Sequence, residues 1–475
     1  MIKSFKYFSF LFIISAVLYG QLDKQNIQKS IEQRAKDYEK IAKSIWSWAE
    51  LGYQEEKSSA LLKETLSDEG FSIKSGVAEI PTAFVAEYGS GRPIIGILAE
   101  FDALPGISQE VATKRKPILD QVGGHACGHH LFGTASTAAA IAVKNYLNKS
   151  KKKGTVRLYG TPAEEGGSGK VYMVRSGLFD DVDIVLDWHA SDKNAASPVT
   201  SMANRSAKFR FYGYSAHAAG APEKARSSLD AVEAMNFMVN LMREHIPDGS
   251  RIHYVITKGG NAPNVVPDFA EVFYYVRDFD VNILEDMWSR LINTAEAAAL
   301  GTGTRMEYEI IHGNRPVLPN EVAQKVMYDN LVQVGGVSYT RAEQKFAKEI
   351  YETLIDPSLS ISSAKTIQPY KFTKGKGSTD VGDVSWKTPT ARLRVATWVP
   401  GTSAHTWQAV AAGGMSIGMK GMINASKVLV GAAIDLYNDP KTVKNAKKEL
   451  IERRGPGFNY YSMLGDRNPP LDYRK

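Results

Sequence analysis

At 475 residues, 43% hydrophobic and 23% charged, the chain is long enough for two domains with ample cores, and its composition excludes a disordered, collagen-like or coiled-coil protein. The formal charge of +7 sits at the ends: Lys3 and Lys6 supply two charges, and residues 440–475 hold nine Lys/Arg against four acids. The body between is neutral, so no basic groove for nucleic acid is expected, and 441–475 reads as a solvated basic tail whose deletion leaves any activity intact.

Lys3 and Lys6 precede the uncharged run Tyr7–Tyr19, with the small residues Ala16 and Gly20 at its end. This is the order of a secretory signal, and the run is shorter than the roughly 20 residues a spanning helix needs. A single membrane anchor is the alternative. Residues 1–20 are expected to be cleaved near Gly20–Gln21, giving a periplasmic or secreted chain with no stable membrane insertion. Cys127 is the sole cysteine, so such a chain has no internal disulfide, and its thiol calls for burial or a metal.

Residues 26–51 carry Ile27, Ile31, Ala35, Ile41, Ile45, Trp46 and Ala49 at helical spacing. Pro93–Ala99 reads as a buried strand, followed by an alanine-rich helix at Leu131–Leu147, a strand at Thr155–Tyr159, a helix at Gly169–Ser176 and a strand at Asp183–Asp187. This alternation predicts an α/β domain with a largely parallel sheet. From Ser197 the pattern changes. A strand at Lys208–Tyr214 precedes a helix at Leu229–His245, strands at Arg251–Thr257 and Glu271–Arg277, a helix at Val281–Ala299 and a strand at Arg305–Ile311. That is a compact α+β unit, 198–315, inserted between catalytic segments 21–197 and 316–440. The α/β pattern resumes at Pro316 and closes with a helix at Ala425–Tyr437.

Four candidate ligands crowd into Gly124-His125-Ala126-Cys127-Gly128-His129-His130. Cys127 and His129 are spaced so that a thiolate and an imidazole chelate one ion from a turn, with Gly128 relieving the backbone. The bland alternative is helix-capping histidines. Thr161-Pro-Ala-Glu164-Glu165 follows a strand, where open α/β sheets place their sites. Adjacent carboxylates there suit one ligand and one general base for water, or else two solvated acids. His189, after the Asp183–Asp187 strand, and His405 complete five nitrogen, sulfur and oxygen ligands, a set suited to two divalent ions.

These segments carry a resemblance. Glu100-Phe-Asp-Ala-Leu-Pro105, Gly124–His129, Pro162–Glu165, Asp187-Trp-His189, Ala216-His-Ala218, Asn264–Asp268 and Ala404-His405 occur in the order seen in the M20 metallopeptidases. Gly377–Trp386 resembles the aminobenzoyl-glutamate subgroup of the amidohydrolase branch. The resemblance, covering about 25–440, implies a zinc-exopeptidase-like catalytic domain with an inserted ferredoxin-like lid or dimerisation domain. It implies Cys127, His129, Glu165, His189 and His405 as ligands of two divalent ions, Zn or Mn, with Glu164 as base and Asp102 as an orienting acid. His217 would reach a neighbouring subunit's site to polarise the scissile carbonyl, and Asn264 and Arg277 would anchor a substrate carboxylate. Glu100 stands where dinuclear peptidases of this superfamily have a metal-binding histidine, and His130 where an acid or asparagine is common.

The resulting expectation is a metal-dependent amidohydrolase of N-acyl or N-aroyl amino acids, typified by p-aminobenzoyl-glutamate, working as a homodimer with a possible second subunit. Within enzymes the alternative is a dipeptidase or aminoacylase. An inactive conjugate-binding relative would lack a ligand or the base, and every position is filled.

Overall fold

A computed structural model describes residues 24–474, so the expected signal segment lies outside the described residues. Its larger sheet has six strands in the order Ser72–Ser75, Phe84–Ser90, Gly154–Gly160, Ile94–Ala99, Ile184–Ser191, Thr390–Ala396. The last four run parallel, and the two at the opposite edge join antiparallel. Strands such as Ile94–Ala99 are apolar throughout because both faces of the sheet are covered.

The alanine-rich helix is His129–Ser150, and its residues from His129 to Val143 are all buried. It packs on the sheet beside the Ser416–Asn438 helix and under the Ala35–Trp48 and Glu56–Asp68 helices, which explains its composition: only small side chains let a helix approach neighbours on every side. Gly133 shows the limit, since a Cβ there would stand 2.8 Å from the Glu100 carbonyl.

The inserted unit has a four-stranded antiparallel sheet, ordered Arg251–Lys258, Phe269–Asp278, Ala203–Tyr212, Arg305–Asn314. Helices Ser228–Met242 and Val281–Thr302 cover one face, and the unit has its own core around Phe209, Phe211, Met235, Tyr274, Trp288 and Leu291. Ser227 and Asp280 cap the two helices through their side-chain oxygens.

Two expectations need correction. The strand predicted to stop at Asp187 continues to Ser191, so His189 lies within it rather than after it. The basic tail is not a solvated terminus. Pro440–Arg454 is a helix with Val443, Ala446 and Leu450 buried, and the chain beyond runs back across both domains. Met463 enters the core of the inserted unit and Leu464 the core of the catalytic domain. Arg315 stacks against Phe458, Tyr460 and Tyr461, and Arg467 pairs with Glu309 at 2.9 Å. Counting charges overlooked these aromatic and aliphatic anchors, whose burial outweighs the solvation of their basic neighbours.

Candidate metal centre and active site

Gly128, at φ 79°, turns the chain into the His129–Ser150 helix, and a Cβ there would strike Ala190 at 2.4 Å. This tight turn sets Cys127 against the neighbouring strand, with its Sγ 3.5 Å from His189 Nε2. His189 Nδ1 lies 2.7 Å from the Ala190 carbonyl and so carries the proton, leaving the Nε2 lone pair toward the thiol. His129 is set the same way. Its Nδ1 donates to Asp102 Oδ1 at 2.8 Å, and its Nε2 is buried without a hydrogen-bond partner. Asp102 also accepts the backbone N–H of Glu165 at 2.9 Å on its other oxygen, so one carboxylate orients two candidate ligands.

Glu164 and Glu165 follow the Gly154–Gly160 strand across Ala163, a non-glycine residue at φ 56°. That left-handed residue is held by the Glu55 carboxylate, which accepts its N–H at 2.8 Å. Glu165 Oε1 is buried without a hydrogen-bond partner, 3.3 Å from His405 Nε2. His405 itself is exposed at φ 61°, its N–H tied to the Ala126 carbonyl at 3.0 Å.

The structure therefore brings all five expected ligands together. Cys127, His129 and His189 form one group, and Cys127, Glu165 and His405 a second, with the ligand atoms of each lying within 4.8 Å of one another. Cys127 is the shared corner. A third group joins Glu100, His129 and Glu164. The donor chemistry fits divalent cations: the thiolate and neutral imidazoles suit a borderline-soft ion, and Glu165 Oε1 and His129 Nε2 are buried without a hydrogen bond. Burial and Glu165 push the Cys127 thiol up, so a thiolate there needs a cation beside it.

Burial, then Glu100 and Glu165, hold the Glu164 carboxyl well above the usual range. Burial works against a charged His129, but Glu100 and Asp102 outweigh it, so the ring binds a proton or a metal strongly. His125 and His130, the other two histidines of the cluster, fall outside the three candidate groups. They lie 3.1 Å from the carbonyls of Ile45 and Gly413 respectively, and burial lowers both, His125 to about 3.

A cleft of about 560 Å³ opens over the cluster, lined by Cys127, Glu164, Glu165, His189, Arg277 and His405. Arg277 thus faces the candidate metal centre. His217 and Asn264 do not line this cleft. They lie together on an exposed edge of the inserted unit, where Asn264 O accepts from Ala218 N at 3.0 Å and His217 bridges to Val265.

With this geometry in hand, similarity to known proteins is informative. The profile of "Peptidase family M20/M25/M40" matches residues 96–351. One of the subunits of p-aminobenzoyl-glutamate hydrolase from Escherichia coli (strain K12) is 38% identical over 450 residues, which cover 89% of this chain and 94% of that protein. The chain belongs to peptidase family M20/M25/M40. It is an amide-bond hydrolase. Its fold is shared by an aminohydrolase of methicillin-resistant Staphylococcus aureus, with a TM-score of 0.65 at 15% identity over 87% of this chain and 99% of that one. A dinuclear metal binding M20 peptidase of Bacillus subtilis aligns with a TM-score of 0.56 at 18% identity, over 86% of this chain and 99% of that one.

The M20 chain carries two features that motif reading missed. Beneath the ligands, buried Lys170 lies 2.6 Å from Glu100 Oε1 and 2.8 Å from Asp380 Oδ1. Glu100, shifted up by burial to about 7, has Lys170 on one oxygen and lies 3.0 Å from His129 Nε2 on the other. Nothing local in sequence signals a pair separated by 210 positions. The second feature is the C-terminal segment, which ends at the site: Tyr473 Oη and Arg474 Nη2 both donate to the Glu165 carbonyl, at 3.1 and 2.7 Å.

Proposed function

We propose that this M20 hydrolase is an exported, metal-dependent amidohydrolase that cleaves the amide between an acyl or aroyl group and an amino acid, with p-aminobenzoyl-glutamate as the representative substrate. The observation that carries the reading is the pair of three-ligand groups sharing Cys127, in a cleft that also holds Glu164 and Arg277. Similarity to one of the subunits of an aminobenzoyl-glutamate hydrolase supports the substrate class and leaves room for a second kind of subunit. The apolar run Tyr7–Tyr19 supports export to the periplasm or beyond.

Cys127, His129 and His189 would hold one divalent cation and Cys127, Glu165 and His405 another. The thiolate favours zinc, while carboxylate and imidazole also admit manganese. Such a pair, when bound, supplies Lewis acidity that polarises the amide carbonyl and lowers the pKa of water. Glu164 accepts the proton of the attacking water and returns it to the departing amine. Asp102 fixes the His129 ring and the Glu165 backbone, and Arg277 grips the carboxylate of the amino-acid half. His217, exposed on the inserted unit, is suited to reach the cleft of a second copy and donate to the developing oxyanion, so the working form is a homodimer.

The test is release of aromatic amine from p-aminobenzoyl-glutamate by the mature, metal-loaded protein and by Glu164→Gln. Turnover lost in the variant at unchanged metal content is the expected result. Equal turnover in both would sink the base assignment. No turnover by the loaded wild type would sink this substrate class and leave acetylated amino acids and dipeptides as the alternatives.

A further inference from the structure

A second cavity, of about 760 Å³, adjoins the catalytic cleft on the far side of His189, and both cavities are lined by His189, Arg392 and Arg394. The two arginines lie on the edge strand Thr390–Ala396, in register with Asp187 and His189 of the neighbouring parallel strand. Being two apart, they share a face, while Leu393 and Val395 enter the core. Arg392 is neutralised, its Nε donating to Asp187 Oδ2 at 2.6 Å.

Arg394 is not. Among the described residues no acceptor or carboxylate pairs with its half-buried guanidinium, although its backbone is fully engaged with Ala195. An edge-strand charge that merely discourages sheet pairing would face outward into water. Arg394 instead opens onto both cavities beside a candidate metal ligand.

Trp398 and Thr402 form part of the wall of the second cavity, with Trp398 packed against Ala190. Lys193, Lys371 and Lys374 stand against Asp192 and Asp356 at the cavity wall, which leaves it positive.

We propose that Arg394 forms a second carboxylate subsite beyond His189, and that it selects amides bearing an extra carboxylate over their neutral isosteres. The proposal rests on the amidohydrolase reading above. It is separate from Arg277, which stands on the inserted unit. A planar guanidinium left without a protein carboxylate suits a ligand carboxylate gripped through both oxygens. The extra carboxylate comes either from the amino-acid side chain or from the acyl group.

Two substrate pairs separate these sources: N-benzoyl-glutamate against N-benzoyl-glutamine, and N-succinyl-alanine against N-butyryl-alanine. The metal-loaded wild type should prefer the charged member of one pair by about 100-fold in kcat/KM, mainly through KM. Arg394→Gln and Arg394→Met should each cut that preference at least about tenfold, with metal content as in the wild type. No preference in either pair, or a preference that survives both variants, overturns the subsite. If the wild type cleaves none of the four, the amidohydrolase reading itself has failed. Calorimetric binding of glutarate against butyrate then decides the subsite: tighter glutarate binding that Arg394→Gln abolishes supports it, and equal binding overturns it.

Discussion

Tyr473 donates its hydroxyl to the carbonyl of Glu165 across 3.1 Å, so almost the last residue of the chain helps fix a candidate metal ligand. Arg474 reaches the same oxygen, Gln54 holds the Leu471 carbonyl at 2.8 Å, and the Tyr53 and Tyr473 rings meet edge to face with centroids 5.5 Å apart. A chain ending at Pro470 loses two donors to one carbonyl, each worth about 1 kcal/mol, along with the packing that holds them. Displacing a ligand slightly is costly to a reaction that depends on positioning, so turnover should fall about 10- to 100-fold. Turnover and metal retained after dialysis are the measurements. Wild-type values in the shortened chain would return this segment to a peripheral role.

Asp102 is the joint of the metal centre, one oxygen on His129 Nδ1 and the other on the Glu165 N–H. Asp102→Asn keeps the shape but turns one acceptor into a donor, so either the imidazole tautomer or the backbone bond is lost. Loss of such an orienting partner typically costs about 10- to 100-fold in metal affinity. Competition with a chromophoric zinc chelator should show that drop. Affinity within about twofold of wild type would mean the two ligands are held by their backbone alone.

The candidate ligands were legible because their chemistry is carried by rare residue types in short segments at the ends of strands and the start of a helix. Cys127, His129, Glu165, His189 and His405 stand out one motif at a time, and the sheet then converges them. Asp102 was legible only through family resemblance, since nothing in its spacing distinguishes it from a surface acid. Lys170, Asp380 and Arg394 were not legible, because their meaning lies in pairing, or the lack of it, between distant segments. The C-terminal segment misled for a different reason: its charge is spread over exposed side chains, whereas Met463, Leu464 and Tyr473 decide where it goes.

Asp383 ties stability to pH away from the metal centre. It is buried, accepting from Tyr460 at 2.8 Å on one oxygen and from the Arg315 N–H at 2.9 Å on the other. Burial raises its carboxyl from 3.8 to about 6, against the lowering effect of those bonds. The folded state thus holds this proton more tightly than the unfolded chain. The stability it contributes is complete below about 3.8 and is lost as the pH rises through about 6. In urea unfolding, the stability of wild type relative to Asp383→Asn should therefore decline across that interval. A difference that stays flat, or rises with pH, would show that burial does not control this acid.

Cys127 belongs to two of the three candidate groups, whereas His189 and His405 each belong to one. Removing an outer ligand leaves the other group complete, so His189→Ala and His405→Ala should each keep about one tightly held ion where wild type keeps about two. Cys127→Ala removes a corner of both groups and should hold neither ion through dialysis. Its replacement by serine should not rescue binding, since a hydroxyl lacks the thiolate's charge and softness. Metal analysis of the dialysed wild type and the four variants checks the pattern. If Cys127→Ala retained as much metal as His405→Ala, the thiol would serve a single ion, and the arrangement would be two separate sites rather than one shared centre.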